Sequence, residues 1–150
     1  MDVKAILKRW GRSRDRIARL TGDMKEIVDR LDAVADIRPQ NFDGMPHGTE
    51  ISNPTERAAF ERMQIMDECR DRMREIVDLL KDEETFELRV EGCFVFLSVP
   101  QERVVRMRYR DRKTQEAVAE YMEYSARHVQ RLEHDAVEIL EVVFHETGLL

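Results

Sequence analysis

The chain has 150 residues, which suits one domain, or a small domain with a helical arm, and is long enough to bury a core. Charged residues make up 37% and hydrophobic ones 42%, and six glycines and four prolines are too few to punctuate many short strands, so the composition predicts a mostly helical protein. No apolar run reaches the roughly 18 residues a membrane span needs, and Trp10 sits among Lys8, Arg9 and Arg12 where a secretion signal would be apolar, so neither span nor leader is expected and the cytoplasm is the expected location.

The net charge of -6 argues against nucleic acid when taken alone, but where the charge sits matters more than its total. Residues 1–20 hold seven Lys/Arg against two acids, 21–99 hold ten against nineteen, 100–132 hold eight against five, and 133–150 hold none against five. Two basic regions therefore flank an acidic middle.

From Ile6 an apolar residue recurs at gaps of four and three through Trp10, Ile17, Leu20, Met24, Ile27, Leu31 and Val34, interrupted only by Ser13, which predicts a helix with a heptad seam. Arg38-Pro39 stops it, and the Gly, Pro and Asn content that follows predicts a connecting loop over 38–54. A second helix is expected from Pro54, with Asn53 as cap, to about Lys81, its seam formed by Ala59, Met63, Met66, Met73, Val77 and Leu80. The methionines read as core filling. Two such seams predict a coiled-coil-like helical hairpin over 1–82, one narrow stripe per helix favouring further association between copies. The basic segment Lys4 to Arg19 fits either DNA or the acidic middle of a partner subunit, a solvated or subunit-pairing role being favoured.

Residues 83–97 fit both periodicities: Phe86, Leu88 and Val90 alternate as in a strand, while Phe86, Val90, Phe94 and Leu97 follow helical spacing. Helix is favoured because a lone strand has no partner in this chain. Ser98 and Pro100 then open a helix to about Tyr109, Thr114 caps a short one carrying Ala117, Val118, Tyr121 and Met122, and Ser125 caps another whose buried face is Val129, Leu132, Ala136, Ile139 and Leu140. Ala119 is small enough for a close crossing of the last two. Residues 83–150 are thus predicted to form a C-terminal helix-turn-helix domain in an all-α protein.

On that last helix Ala126, Arg127, Gln130 and Arg131 face outward near its start. Arg can bond guanine through two donors and Gln can bond adenine the same way, so Arg127, Gln130 and Arg131 suit base readout in a major groove. Thr114, Gln115 and Ser125 suit phosphates, His128 can touch the backbone, and Tyr121 with Val129 and Leu132 is expected to hold the two helices together. Among Arg103, Arg106, Arg108, Arg112 and Lys113, the best phosphate candidates are Arg112 and Lys113, which precede a helix N-terminus.

Cys69 and Cys93 have no Cys or His at metal-ligand spacing and read as reduced core thiols, while His47, His134 and His145 lack partners for metal or catalysis. With no glycine-rich phosphate loop or nucleophile elbow, neither enzyme activity nor a cofactor is expected.

The segments Val99-Pro100-Gln101-Glu102-Arg103-Val104-Val105-Arg106-Met107-Arg108-Tyr109, Thr114-Gln115-Glu116-Ala117-Val118-Ala119 and Ser125-Ala126-Arg127-His128-Val129 resemble the helix-turn-helix of sigma-factor region 4. Tyr124 to Leu132, together with Gly44-Met45-Pro46-His47-Gly48 and Asn53-Pro54-Thr55-Glu56, is similar to phage-encoded transcriptional regulators of the ArpU/RinA kind. Glu123 departs from the glycine often found in the turn, and Ala126 from the arginine common in region 4. The resemblance implies a phage or prophage regulator of late genes that binds double-stranded DNA, with RNA polymerase and further copies of the chain as additional partners and no membrane. Two other readings of the same helices are an oligomeric packaging or assembly adaptor and a region 4 mimic that binds polymerase without touching DNA.

Overall fold

A computed structural model describes residues 2–35 and 54–150, and among these the protein is all-helical, with no strand. Six α-helices follow one another: α1 (Val3–Gly11), α2 (Ser13–Ala35), α3 (Pro54–Cys93), α4 (Val99–Val105), α5 (Gln115–Met122) and α6 (Ala126–Glu146). The loop predicted over 38–54, the Asn53 cap and the Gly44 to Gly48 motif lie in or across 36–53, outside the described residues. Pro54 opens α3, where its fixed φ suits a first helical position. No helix among the described residues is long and apolar enough to cross a membrane.

The residues form two units, one of Met1–Ala18 with Lys81–Leu150 and one of Arg19–Leu80. In the first, Asp2 caps α1 by accepting from the Ala5 amide at 2.7 Å. Val3, Ile6, Leu7 and Trp10 then share one side of α1 and are buried with Val90, Cys93, Phe94, Val105, Ala136, Leu140 and Phe144. Trp10 meets Phe94 edge to face at 4.9 Å between ring centroids, a favoured aromatic geometry. A smaller cluster of Val104, Met107, Val118, Ala119 and Val129, flanked by Met122 and Leu132, joins α4, α5 and α6.

The single helix expected from the Ile6 to Val34 seam is interrupted at Arg12, which forms a turn between α1 and α2. Buried Ser13, the apparent gap in the apolar series, donates its hydroxyl to the Trp10 carbonyl at 2.7 Å and satisfies a group left free by the break. Over 83–97 the helical alternative holds: α3 continues through Gly92 to Cys93, and Phe94–Phe96 make one tight 3-10 turn before Leu97 becomes extended. Glu83, Glu87 and Glu91 lie four apart along α3, on one face. They pair with Arg9 and Arg16, with Arg14 and Arg110, and with Arg106 and Arg110 respectively.

In the second unit α2 and α3 pack together, with Val34, Cys69 and Ile76 buried. The seam expected on α3 holds in part: Met73 and Leu80 are half-buried, whereas Met63 is 64% and Met66 42% exposed, about 100° around the helix from the covered face. Ile65, Cys69 and Ile76 face inward instead.

Candidate nucleic-acid interface

Three side-chain caps fix where the helices of the C-terminal segment begin. Ser98 and Gln101 cap each other reciprocally, with Ser98 accepting from the Gln101 amide at 3.3 Å and the Gln101 side chain accepting from the Ser98 amide at 2.9 Å. After α4 the chain widens into one π-helical turn, Arg106–Arg110. Thr114 accepts from the Ala117 amide at 3.2 Å to start α5, and Ser125 accepts from the His128 amide at 3.1 Å to start α6.

Glu123, Tyr124 and Ser125 connect α5 to α6. Glu123 has φ 58°, in the left-handed region, while its amide donates to the Glu120 carbonyl and the Tyr124 amide to the Ala119 carbonyl at 2.9 Å. That bonding is a Schellman ending, which glycine most often completes. The sharp turn lets Ala119 and Val118 face Val129 in a shared core, so the small residue stands where the helices come together.

Glu133 locks the back of this arrangement. It is 7% exposed, yet accepts from Arg108 Nε at 3.1 Å and Gln115 Nε2 at 2.9 Å on one oxygen and from the Tyr109 hydroxyl at 3.1 Å on the other. Burial pushes its carboxyl up, but the Gln115 hydrogen bond, the charge of Arg108 and the remaining bonds outweigh burial and hold it below the usual carboxylate range. Burial first, then the negative charge of Glu133, pushes the Tyr109 phenol up, so it remains a donor.

Ser125, Ala126, Arg127, His128, Gln130 and Arg131 are all exposed along the first turns of α6. Arg127, Gln130 and Arg131 make no hydrogen bond or ion pair among the described residues, while the His128 ring stands edge-on to Tyr124 at 4.8 Å. At the start of α5, Arg112 also takes a left-handed φ of 56° and donates to Asp15 at 2.7 Å. Lys113 lies over the Tyr121 ring at 4.8 Å. Thr114 and Ser125 are occupied as caps, Gln115 by Glu133 and Arg112 by Asp15, which leaves Lys113 as the cation without an ion pair at that end among the described residues.

Tyr121 does not hold α5 to α6: it is 68% exposed, because its position on the short helix points away from Val129 and Leu132, and it carries Lys113 instead. Sequence reasoning missed Glu133 as a structural centre. Its position four residues after Val129 and three before Ala136 puts a carboxylate on the apolar face of α6, and that placement was the available signal. It also missed Lys4, Lys8 and Arg12 as neighbours of this segment. Among the described residues no group of three or more His, Cys, Asp or Glu is placed to hold a metal ion.

Comparison with protein-family models, curated proteins and solved structures finds no match for this chain.

Proposed function

We propose that the chain is a DNA-binding transcriptional regulator in which α5, the turn at Glu123 and α6 act as a sigma region 4-like helix-turn-helix, with α6 entering the major groove. One observation carries this reading. Arg127, Gln130 and Arg131 stand exposed and free of ion pairs and hydrogen bonds among the described residues, on a helix whose opposite side is anchored by Val129, Leu132 and Ala136. Unpaired donors on a rigid helix incur little reorganisation on meeting base edges. Arg112 and Lys113, at the N-terminus of α5, hold phosphates.

The α2 and α3 pair acts as a coiled-coil-like hairpin that sets oligomeric state or contacts RNA polymerase. The resemblance to phage regulators of the ArpU/RinA kind supports a role on phage or prophage late genes.

The test is binding of the purified full chain to DNA from its own genomic neighbourhood and to random DNA at two salt concentrations, with wild type and the R127A/R131A double variant. Preference for the neighbouring DNA that disappears in the variant supports the reading. Equal, weak, salt-sensitive binding by both proteins to both DNAs refutes it and favours the assembly adaptor, while polymerase binding that survives the double substitution, without DNA binding, favours the polymerase-binding mimic.

A further inference from the structure

The cations on and around α1 differ in their partners. Arg9, Arg14, Arg16, Arg106 and Arg110 are paired with the acidic row Glu83, Glu87 and Glu91 of α3. Lys4, Lys8 and Arg12 are exposed and make no ion pair or hydrogen bond among the described residues. They are spaced four apart, so they form one row along α1 and onto its capping residue.

That row lies beside the start of α5 and the first half of α6. Lys8 and Arg12 line a cavity of about 290 Å³ together with Arg108, Tyr109, Arg112, Lys113 and Thr114. Five cationic side chains meet there; Arg108 and Arg112 are paired with Glu133 and Asp15, while Lys8, Arg12 and Lys113 have no carboxylate partner among the described residues, and the start of α5 adds its partial positive charge. Lys4 lines a second cavity of about 300 Å³ with Gln130, His134 and Glu133 of α6, where the Glu133 carboxylate is already bonded by Arg108, Gln115 and Tyr109. Meanwhile Glu116, Glu120 and Glu123 are exposed on α5 and its turn, leaving the helix pair itself little positive charge to neutralise a duplex.

We infer that Lys4, Lys8 and Arg12 form a phosphate track: α1 grips the sugar-phosphate backbone of the same duplex whose bases α6 reads, with the cavity between α1 and Thr114 seating one phosphodiester. This rests on the DNA-binding reading above. The contact is with phosphate alone, so it adds affinity without adding sequence preference.

The experiment measures the affinity of full-length wild type, K8A/R12A, the charge-retaining K8R/R12K, R127A/R131A and the surface control R57A/R74A for neighbouring genomic and random duplexes across a salt series. The track predicts that K8A/R12A weakens both DNAs equally, by roughly tenfold at low salt, and makes the slope of log affinity against log salt shallower by about 2, about 0.9 per lost phosphate contact. K8R/R12K keeps most of the wild-type slope, and R57A/R74A leaves affinity and slope unchanged. A wild-type slope in K8A/R12A, while R127A/R131A loses its sequence preference, overturns the track and leaves the α6 reading standing. An equal effect of R57A/R74A also overturns it, since bulk charge then accounts for the loss. If wild type binds neither duplex, the DNA-binding reading fails and the track fails with it.

Discussion

Gly11 and the Tyr109 carbonyl touch backbone to backbone: a Cβ on residue 11 would stand 1.9 Å from that oxygen. Neither partner is a flexible side chain that can swing aside, so Gly11→Ala must push α1 off the π-helical turn and loosen Trp10 from Phe94. A loss of about 3 kcal/mol is expected, at the upper end for overpacking. Urea unfolding followed by the fluorescence of the single tryptophan reads it, and an unchanged midpoint refutes the close contact. Gly22 offers the contrast, since nothing lies within 4 Å of its Cβ position. Gly22→Ala, in the middle of α2, is expected to stabilise by about 0.5 to 1 kcal/mol.

The Glu133 network gives a pH signature. Its carboxyl titrates below the usual range in the folded protein, so its contribution to stability is complete above the unfolded value and is lost as pH falls through the folded one. Glu133→Gln keeps the shape and removes the charge that Arg108 faces, and is expected to cost about 1.5 to 3 kcal/mol at neutral pH. The gap between wild type and variant narrows on acidification. Denaturant titrations at neutral and acidic pH measure it, and a gap that stays constant with pH contradicts the assignment.

Glu123 and Gly148 occupy equivalent turns. Each is the left-handed residue that closes a helix, with φ of 58° and 69°, and each is followed by a residue whose amide bonds five positions back. Only one is glycine. Replacing Glu123 with Gly should therefore raise the melting temperature, with a gain of roughly 1 kcal/mol, whereas Gly148→Ala should lower it by a similar amount. Calorimetry on both variants decides, and a destabilised Glu123→Gly would contradict the turn geometry.

Arg131→Ala and Arg112→Ala separate the two kinds of DNA contact in the proposed function. Loss of Arg131 should cost about 1 to 3 kcal/mol at one base position and relax the preference there. Loss of Arg112 should weaken all sequences evenly, since it contacts phosphate only. Affinities over a set of singly substituted duplexes distinguish them, and matching profiles for the two variants would sink the division of roles.

Local chemistry was readable in the sequence. Ser98, Thr114 and Ser125 announce helix starts because a cap needs only its own next three residues, and the Val129, Leu132, Ala136 and Leu140 spacing defines a buried face directly. Partnership was not. The periodicity that marks Ile6 and Trp10 as buried is silent about what covers them, and they lie against Phe94, Leu140 and Phe144. On α3 Met63 and Met66 lie one stripe away from Ile65, Cys69, Met73 and Ile76, and packing rather than pattern chose between them. Tyr121 shows the same limit at one residue, an aromatic at core spacing that lies on the exposed side of α5 with Lys113 over its ring. The sequence left the segment Lys4 to Arg19 open between an acidic surface and DNA, because α1 lies about a hundred positions before the residues it borders.

The burial of α1 against α6 also sets a long-range step in folding. Val3, Ile6, Leu7 and Trp10 are covered in part by Leu140 and Phe144, far along the chain. A long loop must close before the apolar face of α1 is fully buried, and until then that face stays partly uncovered. A piece comprising 83–150 contains every residue proposed to read bases but leaves Phe94, Leu140 and Phe144 without their lid, so it is expected to aggregate or remain molten. Supplying residues 1–18 as a separate peptide should restore its order, a complementation that a helix-turn-helix complete in itself would not need.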